Sequence, residues 1–253
     1  MMKYFTTTLL ICLTPVFIFA EDDSRLLDNL QQQLQELETE AQQELRRYNN
    51  HWFLSRHNLC NEIPEDNFDE IISCRQVIDN IYNTVIQNEH ERSQRVNLIE
   101  QKIDQVEEAV SLKDELSGVN TGSESSRNRA IELHERRSEL FRNRSEWQQF
   151  AGDDDPLMMA ARELGSAAVL AAQNGDAETL ERLLNEQHET HPEYNFTEQE
   201  DIDQLAAMMD AFAEAGNAFP SGLALRANQI YDALPDSDAR KAQVDEIRSR
   251  MRD

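Results

Sequence analysis

Leu27, Leu30, Leu34, Leu37 and Ala41 recur at steps of three, four, three and four. That is the two-in-seven spacing of a coiled-coil seam. It predicts a helix over residues 24–59, in which Leu45, Tyr48 and Trp52 resume the seam after a four-residue stutter. The other faces are rich in Gln and Glu. A stripe this narrow needs a partner helix, from the same chain or from another. Leu27, Leu30, Leu34 and Leu37 are therefore the candidate oligomerisation residues.

Residues 60–64 break that helix, and Pro64-Glu65-Asp66 opens a second that runs to about residue 116. Phe68, Ile71, Ile78, Ile81 and Val85 form its first stripe. Val96, Ile99, Ile103, Val106 and Val110 form its second. Between them residues 87–95 (QNEHERSQR) hold nothing apolar, which predicts a solvated overhang or a bend. Residues 118–126 read as a loop. A third helix over residues 127–150 carries Ala130, Leu133, Leu140 and Trp147 on one seam, interrupted by Arg137 and Arg144. Short connections favour antiparallel neighbours, so residues 21–150 read as a coiled-coil or helical-hairpin region.

The pattern changes at Gly152-Asp153-Asp154-Asp155-Pro156. Asp155 suits an N-cap and Pro156 a first helical position. Short helices follow over residues 156–174, 176–187, 198–215, 221–234 and 237–251. Thr197 with Glu200 spells a capping box, and Gly175 and Gly216 suit C-caps. Residues 151–253 read as a compact domain of short helices with a helical-repeat character. The fold class is all-α.

Residues 171–184 (AAQNGDAETLERLL) look like the helix–turn–helix of an ankyrin repeat. No second copy follows at the repeat's period, so the segment reads as a generic αα-hairpin. A coiled coil followed by helix pairs is also similar in layout to envelope proteins that join a coiled coil to tetratricopeptide repeats. The W-x2-L-G-x2-Y signature of those repeats is absent.

Composition agrees with helices: 253 residues contain only 7 Gly and 6 Pro. The formal net charge is −25, which repels nucleic acid and anionic lipid headgroups. The charge is uneven. Residues 153–214 hold 16 acids against two Arg, a net of −14, whereas residues 127–147 hold six Arg against four Glu, a net of +2. This basic strip either lies against acidic helices of the same chain or meets an acidic partner.

Residues 9–20 (LLICLTPVFIFA) are apolar, follow Lys3, and end abruptly at Glu21-Asp22-Asp23. Such a run is too short to span a bilayer and suits a signal-peptide core. The expectation is a signal peptide over residues 1–20, a periplasmic or secreted protein, and no stable membrane insertion after cleavage. In an oxidising compartment the remaining cysteines, Cys60 and Cys74, are expected to form a disulfide.

Chemistry-bearing motifs are few. His188 and His191 are the candidate metal ligands, although the spacing is not H-E-x-x-H. Arg47, Tyr48, Trp52 and Arg56 lie in an aromatic and basic cluster suited to gripping an anionic partner. There is no nucleophile elbow, phosphate-cradling glycine loop or dinucleotide fingerprint, and no cofactor is expected. The expectation is an exported, non-enzymatic scaffold or adaptor that self-associates and binds a protein partner in the cell envelope. The alternative is a periplasmic metal- or ligand-binding protein, chaperone-like or sensor-like, that uses the acidic C-terminal domain.

Overall fold

The computed structural model describes residues 19–148, 155–193, 196–214 and 217–251, with side chains from residue 23 onward. The signal-peptide core, Asp153, Asp154 and Gly216 lie outside the described residues. The described residues form nine helices and no strand: α1 (Phe19–Arg47), α2 (Asn50–Cys60), α3 (Phe68–Gly118), α4 (Glu124–Ser145), α5 (Pro156–Gln173), α6 (Ala177–Thr190), α7 (Gln199–Glu214), α8 (Ser221–Ala233) and α9 (Ala239–Arg250). Among them no helix is long and apolar enough to cross a membrane. The chain divides into two compact units, at Glu107/Glu108 inside α3. The boundary expected at residue 150 is not where it divides, because α4 packs on α5 and belongs to the second unit.

In the first unit α1 and α2 follow one another antiparallel to α3. Cys60 is bonded to Cys74, His57 lies 3.6 Å from Asp79, Phe53 packs edge-on to Tyr82 at 5.1 Å, and Glu44 accepts from Asn88 at 3.0 Å. As the residue number falls on α1–α2 it rises in step on α3. One continuous helix over residues 24–59 is therefore a misreading. The helix stops at Tyr48-Asn49, where the Asn49 side chain accepts from the Trp52 N–H at 2.9 Å and starts α2.

The stutter is also absent. The heptad step from Leu37 and Ala41 leads to Glu44, and Leu45 is 71% exposed. Glu44 meets Arg92 and Asn88 of α3, all three side chains on the facing surfaces of the two helices. Hydrogen bonds from Asn88 and Arg92 hold the Glu44 carboxyl below its usual pKa. The polar stretch at residues 87–95 is thus not a solvated overhang. It supplies a polar layer to the seam, the kind of layer that specifies register. Leu30 and Leu37 are 4% and 2% exposed within the single chain.

The second unit is built around α5. Its buried Ala160, Ala161, Ala167, Ala168, Ala171 and Ala172 let α4, α6 and α7 approach closely. Leu164, Leu180, Leu183, Ile202, Leu205, Met209, Phe212, Leu223, Ile230 and Val244 fill the core between these helices and α8 and α9. Asp155 caps α5 through the Leu157 N–H, and Gly175 follows the helix at φ 69°, as its C-cap role requires. The Thr197/Glu200 capping box is shifted by one residue: the Asp201 carboxylate accepts from the Glu198 N–H at 3.1 Å.

Candidate partner-binding surface

The basic strip of α4 is consumed inside the second unit. Arg129 pairs with Glu115 and Glu132, Arg136 with Glu108 and Glu139, Arg142 with Glu186, and Arg137 with Glu163. The intramolecular reading of that strip is the one realised, and Arg137 and Arg144 flank the Phe141 ring rather than facing water.

The elbow between α1 and α2 differs. Residues 45–57 carry Arg46, Arg47 and Arg56 and no Asp or Glu. Arg47 lies over the Tyr48 ring at 5.7 Å and Arg56 over the Trp52 ring at 5.6 Å. Tyr48 and Trp52 stack edge-to-face at 5.2 Å, and Trp52 and Phe53 at 5.0 Å. Arg46, Arg47 and Arg95 line an open groove of about 790 Å³ together with Arg92 and the carboxylates of Glu40, Glu44 and Glu91. Among the described residues Arg46, Arg47, Arg56 and Arg95 have no carboxylate partner. All four predicted contact residues, Arg47, Tyr48, Trp52 and Arg56, are thus brought together at one elbow. Asn49, which caps α2, lies between Tyr48 and the helix that carries Trp52 and Arg56.

The other candidates are placed differently. Leu27 and Leu34 are half-buried and Leu30 and Leu37 buried against their own chain. Cys60 and Cys74 join α2 to α3. His188 is exposed in the last turn of α6, while His191 lies 3.5 Å from Asp155. Among the described residues no group of three or more His, Cys, Asp or Glu is placed to hold a metal.

One polar cluster was not legible in the sequence. Glu163 of α5 lies 2.6 Å from His134 Nδ1 and 2.5 Å from the Arg137 guanidinium, both on α4, with its side chain 14% exposed. Burial pushes the Glu163 carboxyl up. The charge of Arg137, the hydrogen bond and charge of His134 and the charge of Lys113 outweigh it and hold the pKa below the usual carboxylate value. In sequence these residues are 26 and 29 positions apart and share no motif. A second such site is Arg226, whose guanidinium lies 3.7 Å from the Phe196 ring and donates to the Leu184 carbonyl. Burial lowers its pKa to about 10.

Comparison with protein-family models, with curated proteins and with solved structures finds no match.

Proposed function

We infer that the protein is an exported, non-enzymatic helical adaptor that self-associates and grips an acidic segment of a protein partner at the α1–α2 elbow. The observation that carries this reading is the set of unmated cations there. In a chain of net charge −25, the guanidinium groups of Arg46, Arg47, Arg56 and Arg95 go without carboxylates among the described residues, while Arg129, Arg136, Arg137 and Arg142 of α4 are paired. They stand beside stacked, half-buried aromatics. Arg, Tyr and Trp are the side chains that dominate interface hot spots. Flat aromatic faces and planar guanidinium groups suit a carboxylate-bearing peptide, since each guanidinium can donate two parallel hydrogen bonds to a carboxylate.

The test is fluorescence anisotropy of a labelled Glu-rich peptide titrated with the full chain at two salt concentrations. Saturable binding that weakens with salt is expected, reduced about tenfold or more by Arg47→Glu with Arg56→Glu. Arg129→Glu, on the paired strip, leaves it unchanged. Absence of saturable binding, or equal binding by the elbow variant, overturns the reading.

A further inference from the structure

Phe68, Ile72, Arg75, Asp79, Tyr82 and Ile86 are spaced four, three, four, three and four along α3. At about 100° per residue they share an arc of roughly 80°. That arc lies about 100° around the helix from the stripe of Ile71, Cys74, Ile78, Ile81 and Val85, to which α2 is bonded through Cys60. It has the spacing of a second coiled-coil seam, whose apolar side chains stay largely exposed although Phe53 of α2 touches Tyr82 from one side. Phe68 is 65% exposed, Ile72 39%, and Tyr82 and Ile86 46% each. Arg75 and Asp79 are exposed as well, touching only Asn61 and His57 of the α2 side. Glu44, three residues before α1 ends at Arg47, meets Asn88 and Arg92 of α3, beyond the C-terminal end of this seam.

The order of these six residues identifies the occupant. Read from either end it is apolar, apolar, charged, charged, apolar, apolar, and the two central charges are opposite. We propose that two copies of the chain dock here as antiparallel α3 helices about a two-fold axis level with residue 77. Phe68 then meets Ile86 of the second copy, Ile72 meets Tyr82, and Arg75 meets Asp79, each pair occurring twice. This is the self-complementarity an isologous interface requires. A parallel pair sets Arg75 on Arg75 and Asp79 on Asp79, which like-charge repulsion disfavours. The seam is 18 residues from end to end, about 27 Å of helix. Its polar centre sets the register, as a charged layer does in a coiled coil, and its apolar ends supply the burial. The proposal rests on the self-association in the adaptor reading and moves it from the Leu27–Leu37 seam, whose Leu30 and Leu37 the chain itself buries, to a face whose apolar side chains stay largely exposed.

Sedimentation equilibrium of the full chain tests this. A dimer is expected at tens-of-micromolar concentration, and Ile72→Asp, at an exposed position, weakens it at least ~100-fold because both copies lose an apolar side chain. Arg75→Asp alone and Asp79→Arg alone are each monomeric, since each creates two like-charge contacts. Mixing these two proteins restores a dimer, because every contact is again between opposite charges. A monomeric wild type, a dimer indifferent to Ile72→Asp, or a mixture that stays monomeric each overturns the proposal. Peptide binding at the elbow is scored separately on the same samples. A monomer that still binds the Glu-rich peptide refutes the seam and spares the elbow; a dimer that does not bind it does the reverse.

Discussion

Replacing Cys60 and Cys74 by Ser should release α2 while leaving α1 and α3 in place. Helix α2 has 11 residues, and Cys60 is its only buried residue. Isolated helices of this length are marginal in water. Its other contacts with α3 are an edge-to-face ring pair between Phe53 and Tyr82, an exposed Arg75–Asn61 hydrogen bond and the His57–Asp79 approach. Leu54 and Leu59 point away and remain exposed. Contacts of this kind contribute about 0.5–1.5 kcal/mol each at best. The disulfide closes a loop of sequence separation 14, and a loop of that size is worth about 3 kcal/mol in the chain-entropy model. Removing it therefore takes away the largest single contribution to docking α2. A loss of about 3 kcal/mol corresponds to a rise on the order of 100-fold in the open population. Hydrogen-exchange mass spectrometry reads this directly. Amides of residues 50–60 should exchange on the order of 100-fold faster in the double Ser variant, with residues 25–40 and 96–106 unchanged. Exchange within about threefold of wild type, a ratio worth only ~0.7 kcal/mol, would refute the argument, because it would mean side-chain contacts alone hold α2. Trp52 and Arg56 ride on this helix, so peptide binding at the elbow should weaken in parallel.

Other consequences are equally checkable. Leu37→Ala should lower thermal stability by about 2–5 kcal/mol, to the same extent at low and high protein concentration, since the side chain is buried within one chain; a concentration-dependent loss would place Leu37 between subunits. Because the folded Glu163 pKa lies below its ordinary value, its contribution is present above the unfolded carboxylate pKa and lost as pH falls through the folded one. Glu163→Gln should thus cost about 3 kcal/mol at neutral pH, by leaving Arg137 unpaired, and should flatten the acid limb of a urea-melt series. Gly165→Ala should destabilise the second unit by about 1–3 kcal/mol. Its Cβ would come within 2.8 Å of Gln187 Nε2, which donates to the buried Ala161 carbonyl, and 2.5 Å of Gln204 Oε1. A change below ~0.5 kcal/mol in a chemical melt would show that both side chains simply swing aside.

Much of the helical layout was legible in the chain itself. The five short helices after Pro156 begin and end within a few residues of their expected positions, because Asp155, Gly175, Pro220 and Asp238 act on the backbone locally. The pairing of Cys60 with Cys74 was legible for a similar reason, as only two cysteines remain after residue 12.

What could not be read was decided across distance. Periodicity marks a stripe but not the helix that covers it, so Leu30 and Leu37 were equally consistent with closure within one chain or between two. The folded chain buries both by itself. Glu44, Asn88 and Arg92 look like solvated polar residues until the register sets them opposite one another. Phe68 was grouped with Ile71 and Ile78 by hydrophobicity alone. Docking α2 on one face of α3 splits that group and leaves Phe68 on the open one. Helix capping and helical period act over four residues and are written in the sequence. The choice of which face meets which is a competition among distant surfaces, and the tertiary structure decides it.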